Sequence, residues 1–118
     1  MATLTIQDTS EAGAALTYAA ASSGGDDFVN SSDRIALHVK NGSASSVNVT
    51  IAAQTTSATV PGLGIVTKAN QVVAVAAGAD RIIGPFPPKA FNSSTSKVSI
   101  SYSATTTVTV AAFRVPAL

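Results

Sequence analysis

One histidine, six carboxylates and a knot of glycine, proline and phenylalanine are the parts of this 118-residue chain that could carry chemistry. His38 stands in "RIALHVK" (34–40), on the polar side of an alternating stretch and beside Arg34 and Lys40. A Ser-His-Asp nucleophile would need a recognisable context such as a G-X-S-X-G elbow, and none occurs. His38 is therefore expected to be an ordinary surface residue. Zinc needs several His or Cys ligands, and one His with no Cys does not supply them. The carboxylates are Asp8, Glu11, Asp26, Asp27, Asp33 and Asp80. Asp26-Asp27 follows Gly24-Gly25 and has Asn30 nearby, the ingredients of a loose calcium loop. Its spacing matches no EF-hand, and neighbouring carboxylates in a glycine-rich turn are more often solvated. Any two carboxylates could be nominated as a glycosidase pair, so their availability carries no weight. "GLGIV" (62–66) lacks both the third glycine of a dinucleotide fingerprint and the lysine of a P-loop. It is expected to be a turn. The expectation is no catalytic, cofactor-binding or metal residue, and no enzyme.

The knot is "AGADRIIGPFPPKAF" (77–91). Pro85, Pro87 and Pro88 lack an N–H donor and push the preceding residue towards extended geometry, so a strand over 80–84 must end there. A polyproline-like segment is expected to follow, anchored by Phe86 and Phe91. Two roles fit: a rigid corner between sheets with Phe86 in the core, or a stiff loop presented to a partner. The corner is the preferred reading; Phe86, Pro87 and Pro88 are the candidate contact residues under the other.

The elements that would position these residues are strands. Ile35, Leu37 and Val39 alternate with Ala36, His38 and Lys40; Val47, Val49 and Ile51 alternate with Asn48 and Thr50. Val98, Ile100 and Tyr102 oppose Ser99 and Ser101, and Val108 and Val110 oppose Thr107 and Thr109. Period two with β-branched side chains gives each strand one buried and one wet face. "KNGSASS" (40–46) predicts a hairpin with Asn41-Gly42 at positive φ. "VPGLG" (60–64), "AAGAD" (76–80), "NSSTS" (92–96) and "SATT" (103–106) are further turns or links. Over 10–25, Ser10 could cap a helix, but Gly13 interrupts and Leu16 and Tyr18 alternate with Thr17 and Ala19, which favours a strand. The expected fold is all-β: a compact antiparallel β-sandwich, jelly-roll-like or immunoglobulin-like, of seven or eight strands. Residues 11–118 form its single domain, and residues 1–10 form an N-terminal arm or a first strand. In "TLTIQ" (3–7), Leu4 and Ile6 could add a strand to a neighbouring chain's sheet, although a first strand of the same sandwich is the simpler reading.

Charged residues are 11% of the chain, against about 25% in ordinary globular proteins. The hydrophobic share of 46% argues for a folded core all the same. The net charge is +1, with four Lys and three Arg scattered singly, so nucleic acid and membrane surfaces are not expected as partners. The first residues carry no signal-peptide pattern and no stretch approaches a membrane span, so the chain is expected to be cytosolic when made. Asn-X-Ser/Thr occurs at Asn30, Asn41, Asn48 and Asn92 and is taken as turn chemistry.

Three passages, "GGDDFVNSSDRIALHVKNGSASSVNVTI" (24–51), "VAVAAGADRIIGPFPPKAF" (73–91) and "KVSISYSATTTVTVAAFRV" (97–115), carry a wider likeness. Their G-D-x-F-x-N turn, V-x-N-G hairpin, A-G-x-x-R-x-I-G-P-F passage and V-x-I-x-Y-S strand resemble a family of small tailed-bacteriophage virion proteins. Such proteins are similar to capsid decoration, or cement, proteins, which bind and stabilise the outside of the mature head. The resemblance implies a non-enzymatic structural protein with the major capsid protein as partner. A homo-oligomer, a trimer by preference, is expected with it. Its expected place is the virion head surface, after the host cytoplasm. Neck, tail or fibre attachment is the alternative within that family, and a carbohydrate-binding module the alternative outside it. The family offers no catalytic residues. The doubled aspartate and Ser31-Ser32 depart from the family's usual glycine in the first turn.

Overall fold

The computed structural model describes residues 2–31, 34–54, 57–67 and 69–115. Asp33 of the carboxylate set and Ser32 of the first turn lie outside them. The chain builds two packed sheets and a separate hairpin. In chain order the strands are β1 (Ala2–Thr3), β2 (Ile6–Asp8), β3 (Ala19–Ala20), β4 (Asp26–Val29), β5 (Ile35–Asn41) and β6 (Val47–Ile51). They continue as β7 (Ser57–Val60), β8 (Gly64–Thr67), β9 (Gln71–Val75) and β10 (Asp80–Ile83). One helical turn, α1 (Pro88–Phe91), precedes β11 (Lys97–Tyr102) and β12 (Val108–Arg114). One sheet runs β1-β4-β11-β6-β9; the other runs β10-β5-β12-β2, with β3 also on β12. The all-β, two-sheet expectation holds at this level. The strand count does not: β1, β2 and β3 are only two or three residues long, and 57–67 pairs with itself.

Period two places the core as expected. Ile35, Leu37, Val39, Val47, Val49, Ile51, Val98, Ile100, Val108 and Val110 are all at most 2% exposed and face one another between the sheets. Pairing is antiparallel except where the N-terminal strands join: β1 lies parallel to β4, and β2 parallel to β12. The arm thus adds one strand to each sheet of its own chain.

Three local expectations need correction. Residues 42–46 are not a hairpin, because β5 and β6 belong to different sheets. Neither Asn41 nor Gly42 takes positive φ. Instead Asn41, 1% exposed, ties the arch together: its Nδ2 donates to the Ser45 carbonyl (2.8 Å) and the Val75 carbonyl (3.0 Å), while its Oδ1 accepts from the Ser43 N–H (3.0 Å). A buried amide with both ends satisfied crosses between layers at little desolvation cost. Segment 10–25 is neither a helix nor a full strand; it contributes only β3, since its alanines offer little to bury. After Phe86 the chain does not continue as polyproline. Pro88 begins a helical turn, where its missing N–H costs nothing.

Candidate functional site

The proline knot is the corner at which the chain leaves β10. Gly84 sits at φ 127° with a cis bond to Pro85, and a Cβ there would lie 3.0 Å from Ala36, so only glycine fits against β5. Phe86 (3% exposed) stacks at 5.8 Å from Phe28 and 5.7 Å from Phe91, which is itself 4% exposed. The corner is held from β4's end: Asn30 Nδ2 donates to the Phe86 carbonyl (3.1 Å) and to Asn92 Oδ1 (2.8 Å), and Asn92 Nδ2 returns a bond to the Asn30 carbonyl (2.9 Å). Asn30 and Asn92 therefore cross-link distant segments rather than shape turns. Above the corner lies a cleft of about 390 Å³ lined by Gln71, Val73, Ile82, Pro85 and Pro87, with Phe86 and Phe91 beneath.

Of the candidate contact residues, Leu4 (8% exposed) and Phe86 are in the core, Ile6 and Pro88 are partly buried, and Pro87 is exposed. Leu4 and Ile6 belong to the N-terminal segment and Phe86 to the corner after β10, yet Leu4 and Phe86 share one core cluster, against which Ile6 packs.

The structure brings together a set the sequence does not announce. Alternation in β5 turns His38 outward, yet its side chain is only 16% exposed. Its Nε2 meets the Asp80 carboxylate at 2.7 Å, and its Nδ1 meets the Tyr18 hydroxyl at 2.6 Å. With Nε2–H donating to the carboxylate, Nδ1 accepts from the phenol, which sets the neutral tautomer. Lys40 Nζ lies 4.0 Å from the centre of the Tyr18 ring, a cation–π contact. The hydrogen bond from His38 is the largest cause holding the exposed Asp80 carboxyl below its ordinary range; desolvation opposes it, and the nearby positive charge of Lys40 adds to the lowering. Ala111, directly across from His38, is 2% exposed although it faces outward. The relay orders a phenol, an imidazole and a carboxylate, and it fastens segment 10–25 to β5 and β10. Tyr18 and Asp80 stand 20 and 42 residues from His38, and no local pattern signals such a meeting.

The doubled aspartate does not form a calcium loop. Asp26 and Asp27 are successive residues of β4 and point to opposite faces. Asp26, 0% exposed, accepts from the Tyr102 hydroxyl at 2.7 Å and from the Ser22 N–H at 3.3 Å. Burial, first, and the neighbouring Asp26 push the Tyr102 phenol well above its ordinary pKa. Among the described residues no group of three or more His, Asp or Glu could hold a metal ion. Among the described residues no helix is long and apolar enough to cross a membrane. No protein-family model, curated protein or solved structure matches this chain.

Proposed function

We propose that this chain is a non-enzymatic structural virion protein that binds the outer surface of a phage capsid and stabilises the mature head. The observation that carries the reading is a flank with a single charged residue, Lys68, on a self-sufficient sandwich. No charged residue occurs between Lys40 and Lys68, nor between Lys68 and Asp80. That region includes β6 and β9 and the exposed Leu63, Ile65 and Val72. Many copies packed side by side on a lattice repel one another little when such a flank carries so little charge. The domain closes its core without disulfides. The resemblance in the Gly-Pro-Phe passage supplies the phage context, and with it a jelly-roll-like or immunoglobulin-like connectivity and a homo-oligomer. A carbohydrate-binding module is less well supported, because none of the six aromatic residues is exposed as a stacking platform.

The test is the molar ratio of this chain to the major shell protein in purified particles, with heat and low-salt survival of particles lacking it. A ratio near a simple lattice fraction together with fragile deletion particles is expected. A handful of copies per particle would move the protein to the neck or tail, and complete absence would overturn the virion reading.

A further inference from the structure

The sandwich has two lateral sides, and they are finished differently. On one, β1 and β3 are two residues long, and the outer edge of β12 is taken up by β3 and β2. Next to β2, the Gln7 side chain pairs with the Thr17 backbone in both directions at 2.8 Å, and Asp8 holds Arg114 through two bonds of 2.9 and 3.1 Å. On the other side, β10 carries Asp80 and Arg81, the kind of charge that keeps an edge from pairing. Strand β9, "QVVAV", has no such device. It is five residues long, uncharged, with three of the five exposed, and its outer edge has no strand partner among the described residues. An edge like this is a template for another strand.

The same chain carries a segment of matching chemistry. Among the described residues, strands β7 and β8 pair only with each other, so the hairpin is hydrogen-bonded to neither sheet. It holds no charged residue, and it displays Leu63 (77% exposed) and Ile65 (72% exposed). The β9 edge, the exposed Val72 beside it and the cleft floored by Phe86 and Phe91 likewise offer no charge. We infer that the β7–β8 hairpin of a second copy lies along the β9 edge, with Leu63 and Ile65 over that cleft. A second copy is the occupant because it uses both unfinished features at once, whereas a foreign partner would cover one and leave the other in water. The contact is heterologous, hairpin to edge, so repetition closes a ring if the rotation allows it. It depends on the isolated chain alone and stands apart from any place on a capsid.

The experiment is sedimentation and light scattering of the purified protein over a range of concentrations, with Ile65→Lys, Val72→Lys and their equimolar mixture. Wild type is expected to associate and each variant to be monomeric. The mixture should form a one-to-one pair, because one variant keeps the edge and the other keeps the hairpin. A monomeric wild type overturns the inference, as does either variant that still associates. Two monomeric variants whose mixture stays monomeric also overturn it, in favour of a symmetric contact that contains both positions. Both positions are exposed, so each variant should stay folded; if a variant unfolds, Leu63→Lys or Ala74→Lys takes its place.

Discussion

The two lateral sides of the sandwich use the same amount of chain to opposite ends. Residues 2–20 are spent on the closed side, where two of three minimal strands, β2 and β3, take up the outer edge of β12 and the third, β1, adds to β4. Residues 57–75 are spent on the open side, where the β7–β8 hairpin pairs only with itself and the outer edge of β9 has no strand partner among the described residues. The lesson is that short, irregular strands can end a sheet, while a regular apolar strand at the margin leaves it ready to continue. Substitutions on the closed side should therefore act on folding, and surface substitutions on the open side on association.

The largest effect should come from the buried floor of the open side. Phe86→Ala should destabilise by about 3–5 kcal/mol, the usual cost of emptying a core aromatic site. Denaturant unfolding measures it. An unchanged midpoint with weakened association would instead make Phe86 a presented anchor and reverse its assignment to the core. Next comes the closed side, where Leu4→Ala should cost about 2–4 kcal/mol and leave the association state untouched. A Leu4 variant that unfolds like wild type but no longer associates would erase the contrast between the sides.

A smaller loss, about 1–3 kcal/mol, is expected for Tyr102→Phe, which takes from the buried Asp26 its phenol donor. Because the phenol's pKa is raised in the folded protein, its contribution is fully present below about pH 10, the unfolded value, and is lost as pH rises through the folded one. Tyr102→Phe should remove that part of the alkaline dependence; an unaltered alkaline limb would show that the bond to Asp26 contributes nothing. The smallest effect belongs to Asp80. Its pKa is depressed, so its contribution is present above about pH 4 and is lost as pH falls through the lower folded value. Asp80→Asn should flatten this acid limb slightly and loosen the grip of His38 on segment 10–25, detectable as faster amide exchange around Tyr18. Exchange as slow as in wild type would place the grip elsewhere.

Much of the fold was legible because strand faces repeat every two residues. Ile35, Leu37, Val39, Val47, Val49 and Ile51 could be assigned to a core before any sheet was known. The end of β10 was legible too, since Pro85 lacks the N–H that a ladder requires. The arch at Asn41 was not. "KNGS" suits a tight hairpin, and only the pairing of β5 with β10 and β12 shows that the chain crosses to the other sheet instead. The relay through Tyr18, His38 and Asp80 was invisible for a related reason: each residue is unremarkable in its own stretch.

Alternation, turn chemistry and the absence of cysteine and clustered charge are local or additive properties, so the sequence by itself determined an all-β domain, its inward faces and the place where β10 stops. Strand order, the parallel seating of β1 and β2, the cross-link of Asn30 with Asn92 and the difference between a closed and an open side were decided by tertiary structure alone. Each depends on which distant segments meet, and that is settled by how the buried faces and backbone hydrogen bonds are satisfied together across the whole chain.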